Sequence, residues 1–329
     1  MTNTRRITRD AGAAVVACAA FLLCMTAQRA QADDAKVKGQ KTMKIKPTAT
    51  GFLKVNGIEL WHEIYGEGQP LVLLHGGLMT IPEMAPLIEP LAKHRRVIAL
   101  ELQGHGRSPD TDRPLALNTC GDDVGAVIDA LGLTQADVAG YSFGADVALR
   151  AAIQHPSKVR RLIVISTPFA KRGWYRKAQE GMATVNASLA DALKNTPTRQ
   201  FAQHWPEPER FGQFLDKMGK MMAEDYDWKR EVEALRMPVM LIYADHDSVS
   251  AAHIAEFFAL LGGGISEPGW EKTQFTNARL AIIPGYSHYD FMTSTEIPPL
   301  MEKFLAAPKI AMTGAPSVAA AAATGKDKR

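Results

Sequence analysis

Ser142 stands in Gly140-Tyr141-Ser142-Phe143-Gly144, a serine with a glycine two residues away on either side. A serine hydroxyl is a weak nucleophile until a base takes its proton. The chemistry open to it is nucleophilic attack helped by a histidine that is itself oriented by a carboxylate. Further along the chain, Ala244-Asp245-His246-Asp247 offers two carboxylates and Pro284-Gly285-Tyr286-Ser287-His288 offers a histidine. An imidazole with an ordinary pKa near ~6.5 can accept a serine proton at neutral pH. The pentapeptide alone is a weak signal, because glycine and serine are common residues. Its weight depends on the elements that would bring these distant residues together.

Those elements are legible. Ala136 to Ala139 predicts a short buried strand leading into Ser142, and the Ala-rich run from Ala145 to Ala152 predicts a helix leaving it. A serine between them sits on a sharp strand-to-helix turn, where crowding favours glycine at the flanking positions. Two apolar clusters on either side of Asn56-Gly57 predict a hairpin over 51–65. The runs Leu71 to Leu74, Val97 to Leu100, Leu162 to Ile165, Pro238 to Tyr243 and Leu280 to Ile283 have the continuous apolar character of strands buried on both faces. Helical patterns fall between them at about Pro82 to His94, Asn118 to Leu131 and Ala251 to Leu261, and a last one covers Pro298 to Leu305. Strands alternating with helices predict an α/β fold, a mainly parallel twisted sheet with helices on both faces. Open sheets of this kind bind ligands at the carboxyl ends of their strands. Ser142, the aspartates at 245 and 247, and His288 each follow a separate predicted strand.

This order and context resemble the α/β-hydrolase fold family, in its serine hydrolase or esterase-like branch, from about residue 51 to 306. His75-Gly76-Gly77 is similar to the family's oxyanion loop, Gly104-His105-Gly106-Arg107-Ser108 to its G-x-G-x-S turn, and Gly140 to Gly144 to its nucleophile elbow. Glu101 stands where many relatives carry aspartate, at a position that is usually structural. The resemblance implies Ser142 as nucleophile, His288 as base and Asp247, rather than Asp245, as the orienting acid. It also implies an oxyanion hole made by the backbone N–H groups of Gly77 and Phe143, with Leu78 as a second choice for the loop donor. His75 and His105 are expected to position loops. A metal site is not expected, since His62, His94, His155, His204 and His253 lack ligand spacing, and no cofactor is implied.

The alternation of strands and helices stops between 168 and 235, which predicts a helical cap inserted between the core segments 51–167 and 236–306. Phe211, Phe214, Met218, Met221 and Met222 recur at helical spacing and give one apolar face. Such a face packs a cap onto a core. It could also line an apolar substrate pocket, for which Leu78, Phe214, Met218 and Met222 are the candidates.

The 329 residues carry a formal charge of +3, and the excess lies at the amino terminus. Residues 1–32 hold four of the 38 basic and one of the 35 acidic side chains, so the remainder is balanced at 34 against 34. Neither a nucleic-acid nor an anionic-membrane partner is implied. Arg5, Arg6 and Arg9 precede an apolar stretch from Ala11 to Ala27, and Ala30-Gln31-Ala32 offers a small-x-small cleavage site. This is the layout of a secretory signal peptide over 1–32, and the apolar run is short of the ~20 residues that span a bilayer. Thr4-Arg5-Arg6 resembles a twin-arginine signal, although Thr8 stands where that signal usually has a large apolar residue. The expected location is therefore periplasmic or secreted, without a stable membrane span in the mature chain. A flexible leader is expected over 33–50 and a disordered tail over 307–329. Of three cysteines, two fall in the signal, so the mature chain would keep only Cys120, expected to be a packed helix residue.

The function implied is hydrolysis of a carboxylic ester or lactone through an acyl-enzyme on a Ser-His-Asp triad, with a small-molecule partner. The alternatives are amide hydrolysis or perhydrolysis on the same triad, or a non-catalytic member using the fold to bind. Epoxide hydrolase and haloalkane dehalogenase relatives carry aspartate at the nucleophile position, so Ser142 argues against both.

Overall fold

The long apolar runs of the sequence form one eight-stranded sheet in a computed structural model that describes residues 43–193, 210–264, 266–270 and 275–308. The strands are β1 (Ala49–Val55), β2 (Ile58–Tyr65), β3 (Pro70–Leu74), β4 (Arg96–Leu100), β5 (Ala136–Tyr141), β6 (Val159–Ile165), β7 (Val239–His246) and β8 (Ala278–Ser287). Their spatial order is β1-β2-β4-β3-β5-β6-β7-β8. The β1–β2 and β2–β4 pairs are antiparallel, and every later pair is parallel. Asn56 and Gly57 turn the β1–β2 hairpin with positive φ at both residues, the conformation an Asn-Gly pair adopts most easily.

The helices follow from the intervening sequences: α1 (Ala85–Leu91), α2 (Leu117–Ala130), α3 (Phe143–Gln154), α4 (Arg176–Met182), α5 (Ala190–Leu193), α6 (Phe211–Ala223), α7 (Lys229–Glu233), α8 (Ala251–Leu260) and α9 (Ile297–Ala306). Two hydrophobic clusters flank the sheet. One joins α2, α3, α6 and α8 to Val72, Val138 and Leu241, and the other joins α1 and α9 to Leu71, Ile163 and Ile242. Alternate residues of the central strands therefore enter opposite cores, as continuous apolar runs require. Leu71, Val72, Leu73 and Leu74 are all fully buried or nearly so, each contributing roughly 1.5–3 kcal/mol from burial.

Two strands run further than the sequence predicts. The apolar run of β7 ends at Tyr243, yet the strand continues to His246 through a register shift, because His246 still pairs with Ser287. β8 likewise passes Ile283 and reaches Ser287. Polar residues end the hydrophobic pattern there, but main-chain pairing does not need it. Residues 43–48, within the stretch expected as leader, lie against the sheet. Met43 and Ile45 pack on the second core, and the Thr48 N–H donates to the Ile64 carbonyl at 2.7 Å. β1 then begins at Ala49. The proposed signal at 1–32, the first part of that leader and the tail from 309 lie outside the described residues. No helix among the described residues is long and apolar enough to cross a membrane.

Between β6 and β7 the described chain forms helices and isolated bridges. The longest, α6, is fixed to the rest of the molecule along its whole length. Arg210, at its start, pairs with Asp112 at 2.8 Å, and Lys217 in its middle pairs with the buried Asp110 at 2.8 Å. Lys171 donates to the carbonyls of Met222, Ala223 and Glu224 at its last turn, where a cation also meets the negative end of the helix.

Candidate active site

The elbow is built by contacts that only glycine permits. A Cβ on Gly140 would lie 2.1 Å from the Gly144 carbonyl oxygen, and one on Gly144 would lie 2.3 Å from that of His75. Strand β5 thus meets helix α3 and the loop after β3 at backbone contact distance. Ser142 caps α3 at φ 52 and ψ −120, a strained conformation for a residue with a side chain. It is held there by its N–H bond to the Ile165 carbonyl at 2.8 Å and by the first turn of α3, whose Ala145 and Asp146 N–H groups donate to the Ser142 carbonyl.

Strand ends bring the partners to this turn. Ser142 Oγ lies 3.0 Å from His288 Nε2, and His288 Nδ1 lies 3.0 Å from Asp247 Oδ1. Asp247 and His288 are both buried, and Ser142 is half-buried. Burial pushes the Asp247 carboxyl up. The hydrogen bond and charge of His288, the Ser166 hydroxyl and the Ala244 N–H outweigh that and hold it below the usual carboxylate range. An ionised carboxylate only accepts, so His288 Nδ1 carries the proton and Nε2 faces Ser142 with its lone pair. Asp245, the competing acid, is exposed and takes the Gly285 N–H at 2.9 Å, beside an exposed His246.

The oxyanion loop is fixed by two neutral histidines. His75 Nε2 accepts the Leu102 N–H at 3.1 Å while Nδ1–H donates to the Gly76 carbonyl at 2.7 Å. His105 Nε2 accepts the Leu78 N–H at 3.2 Å while Nδ1–H donates to the Gln103 carbonyl at 3.0 Å. Burial lowers His75 to about 4 and His105 well below the usual histidine range, so both stay neutral and keep the ring acceptor these bonds need. Because its N–H is taken by His105, Leu78 is not available as the loop donor. The N–H groups of Gly77 and Phe143 have no acceptor among the described residues. A Cβ on Gly77 would lie 3.6 Å from that of Phe143, so the two backbones face each other beside Ser142.

The four candidate pocket residues separate. A Cβ on Gly77 would lie 3.2 Å from Met218 Cε and 3.9 Å from Met222 Cε, so α6 closes over the oxyanion loop with the soft ends of two methionines. Leu78 is half-buried beside them, with φ 56. Phe214 and Met218 are both fully buried members of the core. Phe214 sets its ring edge-on to His105 at 5.1 Å and supports the loop from behind, while Met218 meets the loop through Cε. The apolar stripe of α6 therefore divides between packing and the site.

Three contacts around the histidine are not apparent in the sequence. Ser166, immediately after β6 and fully buried, donates its hydroxyl to Asp247 Oδ2 at 2.6 Å. Tyr141 donates its hydroxyl to the His288 carbonyl, and its ring stacks with the imidazole at 5.6 Å. Trp174 places its ring edge-on to His288 at 5.6 Å. The strand-end rule that points to Asp247 also points to Ser166, and that was the one signal available. Cys120 is buried on α2, its thiol pushed up to about 12 by burial. No group of residues with metal-ligand character occurs among the described residues.

The sheet order, the elbow and the strand-end residues define a fold class, and comparison with known proteins names it. A model of the alpha/beta hydrolase fold matches residues 69–205. The chain has the α/β-hydrolase fold. It is 24% identical over 265 residues to the pimeloyl-[acyl-carrier protein] methyl ester esterase of Nitrosospira multiformis, covering 72% of this chain and 94% of that one. The solved enol-lactonase from Burkholderia xenovorans LB400 superposes with a TM-score of 0.57 at 22% identity, covering 78% of this chain and all of that one. Carboxylesterase CesB from Bacillus subtilis gives a TM-score of 0.61 at 17% identity, over 84% and 96% of the two chains. At these identities the two solved structures establish the fold alone.

Proposed function

We propose that this protein is a serine hydrolase that cleaves a carboxylic ester or lactone through an acyl-enzyme on Ser142. The observation that carries this is the unbroken line from Ser142 Oγ to His288 to Asp247, with 3.0 Å at each step. In the first half-reaction Ser142 Oγ attacks the acyl carbon while its proton passes to His288 Nε2. Asp247 orients the imidazole and stabilises the imidazolium. The negative charge that forms on the acyl oxygen is taken by the Gly77 and Phe143 N–H groups, at the positive end of α3. His288 returns its proton to the leaving alcohol, or to the ring alkoxide of a lactone, and the C–O bond breaks. In the second half-reaction His288 takes a proton from water as the water oxygen attacks the acyl carbon. It then returns that proton to Ser142 Oγ as the acyl C–Oγ bond breaks, releasing the acid and regenerating Ser142.

Ester cleavage is supported by the methyl ester esterase among the relatives. Met218, Met222 and Leu78 make the surroundings of Gly77 apolar, which suits an uncharged acyl or alcohol group. Amide cleavage or perhydrolysis on the same three residues is the alternative within enzymes. A non-catalytic member has no use for all three at hydrogen-bond distance. Export to the periplasm or beyond belongs to the same proposal and rests on the composition of residues 1–32.

The test is a panel of aryl esters of rising acyl length, simple lactones and matched anilides. Turnover of at least one ester or lactone, lost by a factor on the order of 10³ or more in Ser142→Ala, is the expected result. Anilide turnover without ester or lactone turnover would replace the proposal with amide chemistry.

A further inference from the structure

A second site lies at the opposite end of the sheet from Ser142. Gln135 precedes β5, Arg160 and Arg161 open β6, and Arg236 to Pro238 precede β7. Together they line a cleft of about 440 Å³ at the amino ends of three neighbouring strands. Ser142 and Asp247 follow the carboxyl ends of β5 and β7, so the length of a strand, roughly 20 Å, separates the two sites.

Among the described residues, the cleft and its surroundings gather more arginines than carboxylates. Arg95 and Arg160 share one carboxylate, Asp137, and Arg95 also pairs with Glu302 at 3.0 Å. Among the described residues, Arg161 donates to the carbonyls of Phe304 and Ala307, and Arg236 to those of Glu233 and Leu235, with no carboxylate on either. Arg161 is 6% exposed, and its Nε is buried without a hydrogen-bond partner, as is Nε of Arg160. Burial, and after it the neighbouring guanidinium of Arg160, holds Arg161 below the usual arginine range. Burial also pushes the Asp137 carboxyl up, against the arginines around it. A bound oxyanion would supply the missing charge through the accessible guanidinium groups of Arg160 and Arg236, with the buried Arg161 adding its field from beneath. The remaining walls are apolar, with Pro156, Val159, Met237 and Pro238 leaving room beyond an anionic head.

We propose that this cleft binds a small organic anion, its carboxylate or phosphate head on Arg160 and Arg236 and its apolar body against Pro156, Val159 and Pro238. The site stands independently of the chemistry assigned to Ser142. Isothermal titration of the intact protein with butyrate, butyl phosphate and inorganic phosphate at fixed ionic strength tests it, with Arg160→Gln and the exposed Arg236→Gln alongside. Saturable binding of butyrate or butyl phosphate, tighter than that of inorganic phosphate and weakened at least tenfold in both variants, is the expected result. The relative strength of the two butyl probes identifies the head group. An absence of saturable binding overturns the proposal, leaving ordered water as the partner of the arginines. Affinities unchanged in both variants overturn it too, because the anion then sits elsewhere. Arg236, at the rim, keeps the test valid if the Arg160 variant does not fold.

Discussion

Ser166 donates its hydroxyl to Asp247 Oδ2 at 2.6 Å, while the other oxygen of the same carboxylate takes His288 Nδ1 at 3.0 Å. The acid is therefore fixed from both sides, by the residue that follows β6 and a residue of the loop after β8. Ser166 reaches it from φ 58, a backbone region that costs a side chain about 1 kcal/mol or more. Glycine relieves that strain and alanine does not, yet both remove the hydroxyl.

Ser166→Ala and Ser166→Gly are accordingly expected to lose ester kcat/KM by a similar factor, on the order of 5- to 100-fold for one hydrogen bond to a charged group. Thermal unfolding should separate them, with Ser166→Gly the more stable. The pH profile should shift as well, since the carboxylate that supports His288 becomes less firmly held. Equal kcat/KM to wild type in both variants would remove Ser166 from the site.

Gly77 leaves room for Met218 and Met222 above the oxyanion loop. A methyl group there would stand 3.2 Å from Met218 Cε, the movable end of a flexible side chain, and 3.6 Å from the Phe143 Cβ. Gly77→Ala is expected to fold with little loss of stability but to lower kcat by on the order of tenfold or more, because the donor beside it is crowded. Met218→Ala, measured across the ester panel, should shift preference toward longer or bulkier acyl groups. An unchanged panel profile would place the substrate away from α6.

Asp146, in the first turn of α3, is buried and accepts a hydrogen bond from Thr167 at 2.5 Å. Burial pushes its carboxyl to about 8. Its unfolded value is near ~3.9, so between about pH 4 and 8 the unfolded chain releases a proton that the folded chain keeps. Stability is then lost as pH rises through that window, by about 1 kcal/mol per unit. Asp146→Asn keeps the shape without the charge. It should melt above wild type at pH 7 and close to it at pH 4, and a variant equally stable at both would contradict this assignment.

The buried histidines have the opposite sign. His75 titrates at about 4 when folded and near ~6.5 when unfolded, so its contribution is complete above ~6.5 and lost as pH falls toward 4. His105 adds to the same acid loss. Denaturant midpoints measured from pH 7 down to 4 in the Asp146→Asn background should fall steadily. A flat profile would mean that His75 and His105 already carry protons at neutral pH.

The architecture was legible because the central strands are buried on both faces and read as unbroken apolar runs, from Leu71 to Leu74 and from Leu162 to Ile165. The elbow was legible because steric contact forces Gly140 and Gly144. The ends of β7 and β8 were not, since polar residues from Asp245 to His246 and from Tyr286 to Ser287 keep main-chain pairing without a hydrophobic period. Ser166 was hidden for another reason. Its bond to Asp247 spans 81 residues of sequence, and nothing local marks a buried serine that faces a carboxylate. The division of the α6 stripe, with Phe214 under His105 and Met218 over Gly77, depends on which way a helix is rotated against its neighbours. Periodicity gives the face and not its target.

The central claim is that Ser142 is an activated nucleophile, and labelling with a fluorophosphonate probe addresses it most directly. Wild-type protein should be labelled at Ser142, Ser142→Ala should not be labelled, and His288→Ala should react slower by orders of magnitude because its hydroxyl has lost its base. Equal labelling of wild type and Ser142→Ala would contradict the account.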